Sequence, residues 1–438
     1  MEYGLVLGGG GTMGSYEIGV WKALRELDVY ISAVAGTSIG AINGAIIAQN
    51  DLEWAIEFWS NLKIEDVLLM DKNVLEKFNA ELLKFDFLTL LTSFGKLISD
   101  GGLDISPLKE NIKKYISEDR VRKSPIKLGL VTVSLTDRKP LELMIDQIPV
   151  GKLHDFLLAS AALPAFKKHE IDGSVFIDGA FYDNLPENLL ISNGYKNLIT
   201  VTLPSLGINT KPKKKDLNII ALEPSDQLGA VLDFTPNLMK QNIQLGYLDT
   251  LKKVNQLCGI HYFIDFDKED ASFNKFTKKL GNPLKSEIKI QLPFLLSIDS
   301  ITSKADILQA IHKLITYTKY KDSSNLPLSL LEITGISLNI ERLRVYKPRE
   351  LIHEILFTLN NLLKENMEFM ENSNTIMDML KSRNEQSVAP HSNLKFLAYY
   401  LFITNVHTKS IKSMAKLINR FSPEIALSII TLLYLTEK

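Results

Sequence analysis

A short apolar run, residues 31–35, drives into Gly36-Thr37-Ser38-Ile39-Gly40, and an apolar helical run, residues 39–48, leaves it. The order is strand, tight turn and helix, with Ser38 at the turn. A serine on such a strained turn keeps its hydroxyl exposed only when its neighbours lack crowding side chains, and Gly36 and Gly40 meet that condition. Ser38 then opens a helix, where unpaired N–H groups and the helix dipole favour developing negative charge. An ordinary loop with a helix-capping serine is the competing reading of the bare pentapeptide.

Upstream, the apolar strand at residues 3–7 ends in Gly8-Gly9-Gly10-Gly11-Thr12-Met13-Gly14. Tyr16, Val20, Leu24 and Leu27 then recur at helical spacing, with Glu17, Lys22, Arg25 and Glu26 between them as the polar face. Residues 9–14 fit G-x-G-x-x-G, but the second strand ends in Gly36-Thr37-Ser38 where a dinucleotide site needs an acid. A phosphate-binding Walker loop is excluded, because Met13 and Gly14 occupy the place of Gly-Lys-Ser/Thr. What remains is a row of unhindered backbone N–H groups close to Ser38, suited to an oxyanion.

The α/β rhythm resumes with strands at residues 126–134 and 141–145, a helix at 150–162 and a short strand at 174–177 that runs into Asp178-Gly179-Ala180. A carboxylate at a strand end, followed by glycine, lies where open α/β sheets keep their chemistry, although Asp-Gly is also a strong turn signal. Strands at residues 198–203 and 217–222 extend the sheet, and residues 237–257 read as a long helix.

Gly9-Gly10-Gly11-Thr12-Met13-Gly14, Gly36-Thr37-Ser38-Ile39-Gly40 and Asp178-Gly179-Ala180, in this order, resemble the three motifs of the patatin-like phospholipases. Residues 159–166, Asp183-Asn184-Leu185-Pro186 and Gly246-Tyr247-Leu248-Asp249 agree, the last resembling bacterial members. The resemblance covers residues 2–260. It implies a three-layer α/β/α sandwich around a mostly parallel sheet, and a lipid acyl hydrolase acting on phospholipid or lysophospholipid esters without cofactor or metal. It further implies Ser38 as nucleophile, Asp178 as base and the Gly9, Gly10 and Gly11 amides as oxyanion hole, with Gly14, Gly36, Gly40 and Gly179 supporting the motifs. Met13 departs from the family's usual Arg or Lys. Backbone donors do not depend on that side chain, but a basic contribution to holding the loop or attracting an anionic head group is lost.

Two rival readings remain. A Ser-His-Asp triad needs one of seven histidines, and neither His154, His169 nor His261 stands in a recognisable motif. A lipid- or nucleotide-binding module would use the glycine loop without turnover.

The 438 residues suffice for two or three domains, expected here as a catalytic domain over residues 1–300, with core motifs in 2–204, and a helical domain over 301–438. Helices are expected at residues 305–320, 348–371, 393–406, 410–419 and 423–435, separated by polar breaks at 321–327 and 382–392. These helices can pack within the chain, pair with a second copy, or touch a membrane through residues 425–435. The nearly all-round apolar surface of residues 82–98 suits core, a cap over the site, or a lipid-facing element. A formal net charge of -1 gives no reason to expect nucleic acid, and residues 211–215 read as a solvated lysine-rich loop. One cysteine precludes an internal disulfide, no early signal-peptide pattern stands out, and no uncharged run reaches the ~20 residues of a membrane span. The expected location is a reducing cytoplasm, with peripheral membrane contact at most.

Overall fold

The computed structural model describes residues 1–69, 102–235, 237–282, 303–371 and 423–436. The helices expected at residues 82–98, 393–406 and 410–419 and the break at 382–392 lie outside the described residues. By its contacts the chain separates into two compact units, Met1–Val254 and Asn255–Lys438.

In the first unit, the apolar runs become strands β1 (Glu2–Leu7), β2 (Tyr30–Thr37), β3 (Lys127–Ser134), β4 (Lys139–Met144), β5 (His169–Ile171), β6 (Ser174–Asp178), β7 (Asn197–Val201) and β8 (Asn218–Leu222). They form one sheet in the order β5-β6-β3-β2-β1-β7-β8, with β4 also paired to β3. The central pairings β2–β3, β1–β2, β1–β7 and β7–β8 are parallel, whereas β4 and β6 run antiparallel to β3 and β5 antiparallel to β6. The strand expected before Asp178 therefore exists, but it enters against the direction of the parallel core.

Helices α1 (Ser15–Glu26), α2 (Ile39–Gln49), α3 (Leu52–Asn61), α4 (Ser106–Tyr115), α5 (Glu118–Lys123), α6 (Leu153–Ser160), α7 (Glu187–Ser192) and α8 (Leu238–Lys253) complete the unit. Side chains alternate across the sheet with period two. Ala33 and Ala35 of β2 pack with Val6, Val131, Leu189 and Leu190, the last two from α7. Val34 and Leu128 face the other way, against Gly44 of α2. Both faces of the sheet are thus covered, which makes a three-layer α/β/α arrangement and explains why the central strands read as unbroken apolar runs.

Residues 52–61 form α3, whose apolar side chains reach inward at Leu52, Ala55 and Trp59. One local expectation changes. Glu17, expected on a polar face, is fully buried, because α1 is enclosed along most of its length.

In the second unit, β9 (Phe263–Ile264) pairs in parallel with β10 (Val345–Tyr346), and its described part is otherwise mainly helical. Helices α9 (Ala271–Lys279), α10 (Lys304–Ile315), α11 (Leu326–Ser337), α12 (Pro348–Glu371) and α13 (Pro423–Thr436) contribute to one hydrophobic core. Phe273 and Phe276 bury in that core beside Ile311, Leu331, Ile355 and Ile430, which places residues 255–282 with the helical unit and the expected boundary near 300 inside it. The α13 residues Ala426, Leu427, Ile429, Ile430 and Leu433 are each at most 1% exposed.

Candidate active site

The register of β3 brings the site together. Gly129, Leu130 and Val131 pair with both β2 and β4, so those neighbours occupy opposite edges of β3. Thr132 to Ser134 pair with both β4 and β6, which puts β6 on the edge that β2 has just vacated. Thr37 sits opposite Val131 and Asp178 opposite Thr132. Strands β2 and β6 therefore run head to head and deliver Ser38 and Asp178 at adjacent β3 positions, from opposite directions.

Ser38 has φ 57° and ψ −123°, a strained conformation for a residue with a side chain. Its hydroxyl does not cap α2, which removes the capping-serine reading. The turn closes this tightly because a Cβ on Gly36 would run into the Gly40 backbone, and a Cβ on Gly40 would come within 2.8 Å of the Gly8 carbonyl. The Ser38 N–H donates to Ser160 Oγ at 3.0 Å, and Ser160 Oγ donates to the Val131 carbonyl at 2.7 Å. Ser160, at the end of α6, thereby pins the turn to β3.

The glycine loop lies alongside, since a Cβ on Gly9 would stand 3.1 Å from that of Ser38. Its amides differ. The Gly8 N–H donates to Val201 O at 3.1 Å and the Gly9 N–H to Asn184 O at 3.2 Å. Gly10 and Gly11 donate to no group among the described residues. Gly14 closes the loop against Ile39, and Gly179 packs against the Val131 carbonyl and Thr37. The Met13 side chain is 2% exposed, so this position fills the core here.

Asp178 is fully buried. Its Oδ1 accepts from the Ala180 N–H at 2.8 Å, while Oδ2 has no hydrogen bond of regular geometry. Burial pushes this carboxyl up to about 6, against the opposing influence of the neighbouring Ser38 hydroxyl and the Ala180 amide. The two histidines of this unit are occupied elsewhere: His154 Nε2 meets Ile116 O at 2.6 Å and His169 Nε2 meets Asp155 O at 2.8 Å.

From Gly11, Thr12 and Ser38 an apolar cavity extends past Ile42 and Ile46 toward Trp54, Phe58 and Tyr115. The Trp54 and Phe58 rings stack with centroids 5.0 Å apart, and Trp54 lies at the same distance from Tyr115. Among the described residues no cluster of His, Cys, Asp and Glu could hold a metal ion, and no helix is long and apolar enough to cross a membrane.

A family model described as patatin-like phospholipase matches residues 5–191, a span that holds the glycine loop, Ser38 and Asp178. This span is a patatin-like phospholipase domain. The patatin-like phospholipase domain-containing protein 7 of Rattus norvegicus is 24% identical over 204 residues, which are 46% of this chain and 13% of that protein. Lysophospholipase nte1 of Aspergillus terreus is 55% identical over 47 residues, 11% of this chain and 3% of its own length. The chain thus spans a small fraction of these curated relatives. The crystal structure of VipD from Legionella pneumophila aligns over 99% of this chain and 90% of that one, at 16% identity and a TM-score of 0.39.

Around the patatin-like site, the side chains that hold it in shape had no assigned part in the sequence reading. Asn184 Nδ2 donates to Gly9 O at 3.3 Å, and Ser205 Oγ donates to the same carbonyl. Thr37 Oγ1 donates to Asp183 O at 2.7 Å. Asp183-Asn184 therefore ties the glycine loop to the serine turn, as Ser160 ties that turn to β3. Residues 159–166 and 183–186 had stood out only as text flanking Asp178. Their hydrogen bonds reach far along the chain, so sequence proximity could not assign their partners.

Proposed function

We propose that the patatin-like domain is a serine acyl hydrolase that cleaves carboxylic esters of phospholipids or lysophospholipids through Ser38 and Asp178. The observation that carries this reading is the strained serine turn beside a buried, otherwise unpaired carboxylate oxygen, with Ser38 lining an apolar cavity. Asp178 takes the proton as Ser38 Oγ attacks the ester carbonyl, and the amides of Gly10 and Gly11 stabilise the oxyanion. Gly9 keeps its side-chain-free place against Ser38, its own amide being engaged. The acyl chain fills the cavity, whose lining offers burial worth roughly 25 cal/mol per Å² of apolar surface. The protonated Asp178 returns its proton to the departing alcohol, and water then attacks the acyl-enzyme with the same carboxylate as base.

The name of the Aspergillus relative supports the single-chain, lysophospholipid end of this substrate class. A dyad is favoured over a triad because His154 and His169 spend ring nitrogens on backbone carbonyls, and Asp178 accepts from Ala180.

The test is hydrolysis of defined phospholipids, lysophospholipids and one soluble ester by the intact protein and four variants. Ser38→Ala and Asp178→Asn are each expected to lose at least about 10³-fold in kcat, whereas His154→Gln and His169→Gln keep most of it. A folded but inactive histidine variant refutes the dyad. Full activity in Ser38→Ala refutes the nucleophile, and no hydrolysis by the unaltered protein leaves a binding module.

A further inference from the structure

Asn43 lies on α2, the helix that Ser38 opens, and is fully buried. Its Nδ2 donates to the Gly14 carbonyl at 2.9 Å and to Glu17 Oε2 at 2.7 Å, and its Oδ1 accepts from Trp59 Nε1 at 3.0 Å. Both amide hydrogens are spent, and the oxygen is held by an indole that can only donate. The three partners belong to three elements: the end of the glycine loop, α1 and α3. A polar side chain wholly enclosed is costly unless satisfied, and deleting this amide would leave the Gly14 carbonyl, Glu17 Oε2 and the Trp59 indole N–H without this partner.

The placement points to the reaction. Gly14 ends the turn Gly11–Gly14, and its backbone packs against Ile39, the residue after Ser38. Asn184 and Ser205 grip the other end of the loop at the Gly9 carbonyl. The Gly10 and Gly11 amides thus lie between these anchors, with Thr12 also held by its N–H to Val231 O at 2.8 Å, and Asn43 is the anchor borne by the nucleophile's own helix. Trp59 fixes which way the amide faces, because a flip would bring Oδ1 against the Gly14 carbonyl and turn the amide hydrogens toward the indole N–H. Asn43 and Trp59 also line the cavity.

We propose that Asn43 is a positioning residue that sets the Gly10 and Gly11 amides relative to Ser38, and that Trp59 orients it through the indole hydrogen bond. This rests on the reading of Ser38 as nucleophile and the loop as oxyanion hole. Misplacement of those donors weakens stabilisation of the transition state while leaving most of the ground-state ester contacts intact, so the loss falls on kcat.

The experiment measures kcat and KM on one soluble short-chain ester for the intact protein, Asn43→Leu, Trp59→Phe, the double variant and Ser38→Ala, with circular dichroism to check folding. Expected are a kcat lowered roughly 10²-fold in Asn43→Leu and roughly 10-fold in Trp59→Phe, KM changed by no more than about 2-fold, and a double variant no worse than Asn43→Leu. Unchanged kcat in either folded single variant, or an effect on KM alone, overturns the proposal. Should Asn43→Leu fail to fold, Trp59→Phe decides by itself, since it keeps an aromatic ring and deletes the donor. An inactive Ser38→Ala beside normal kcat in the other variants rejects only this inference. An active Ser38→Ala rejects the underlying reading as well.

Discussion

Under the dyad reading Asp178 acts as a base while buried, and that sets opposing demands. Its carboxyl titrates near 6 when folded against an ordinary 3.8, so the proton-accepting form prevails only above about pH 6. Under the dyad reading, kcat/KM for a soluble ester should rise with pH through about 6 and then level off. A profile flat from pH 5 to 8 contradicts Asp178 as the base. The same shift fixes the sign of its effect on stability. The folded state holds this proton more tightly than the unfolded chain, so the contribution of Asp178 to stability is fully present below the unfolded value of 3.8. It falls as pH rises toward 6 and is lost above it. At pH 7 the difference amounts to up to about 3 kcal/mol against folding. Asp178→Asn should therefore unfold at a higher temperature than the unaltered protein at pH 7 and show little advantage near pH 4, while hydrolysis is lost. Equal melting temperatures at pH 7 contradict the desolvation account.

Among the elements, α1 and α8 carry an unusual constraint. A Cβ on Gly19 would meet the Ile243 carbonyl, and one on Gly246 would meet the Tyr16 carbonyl and approach Val20 N to 3.1 Å. The two helices therefore cross backbone to backbone, with Tyr16 Oη donating to Asp249 Oδ2 at 3.2 Å beside the crossing. Helix propensity alone favours Gly→Ala by about 1 kcal/mol, whereas forcing a methyl into closed space costs roughly 1–3 kcal/mol. Gly246→Ala is expected to lower the melting temperature, which means the contact outweighs propensity. A raised melting temperature shows that the helices part without cost. The run Gly246-Tyr247-Leu248-Asp249 was legible only as a resemblance, and its reason is this crossing. Gly19 gave no signal, because its partner lies more than two hundred positions away.

For the whole molecule, the sheet, the serine turn, the glycine loop, Asp178 and the cavity all belong to Met1–Val254. A polypeptide of residues 1–254 should fold by itself and hydrolyse a soluble ester within about tenfold of the intact chain, since separate cores permit separate folding. Circular dichroism and the ester assay on that fragment check it. A fragment that stays unfolded shows that the first unit depends on the second. A break at residue 300 instead carries Phe273 and Phe276 away from their helical neighbours, and is expected to give a fragment with an exposed, aggregation-prone tail.

Local sequence was enough for whatever local forces decide. The apolar runs of β1 to β3, the glycines that admit the Ser38 turn and the helical periodicity after it could be read directly, because each depends on neighbours within a few residues. The motif pattern supplied the candidate trio of Ser38, Asp178 and the glycine loop. Tertiary structure decided what depends on distant partners. The approach of β6 against the parallel strands follows from its pairing with the end of β3, and that pairing sets Asp178 beside Ser38. The burial of Glu17 follows from elements packed around α1 rather than from its own spacing. Which glycine amides remain unspent follows from Asn184 and Val201 taking those of Gly9 and Gly8. A carbonyl nearly two hundred residues away leaves no local trace in the sequence, yet it determines which backbone donors stay available to an oxyanion.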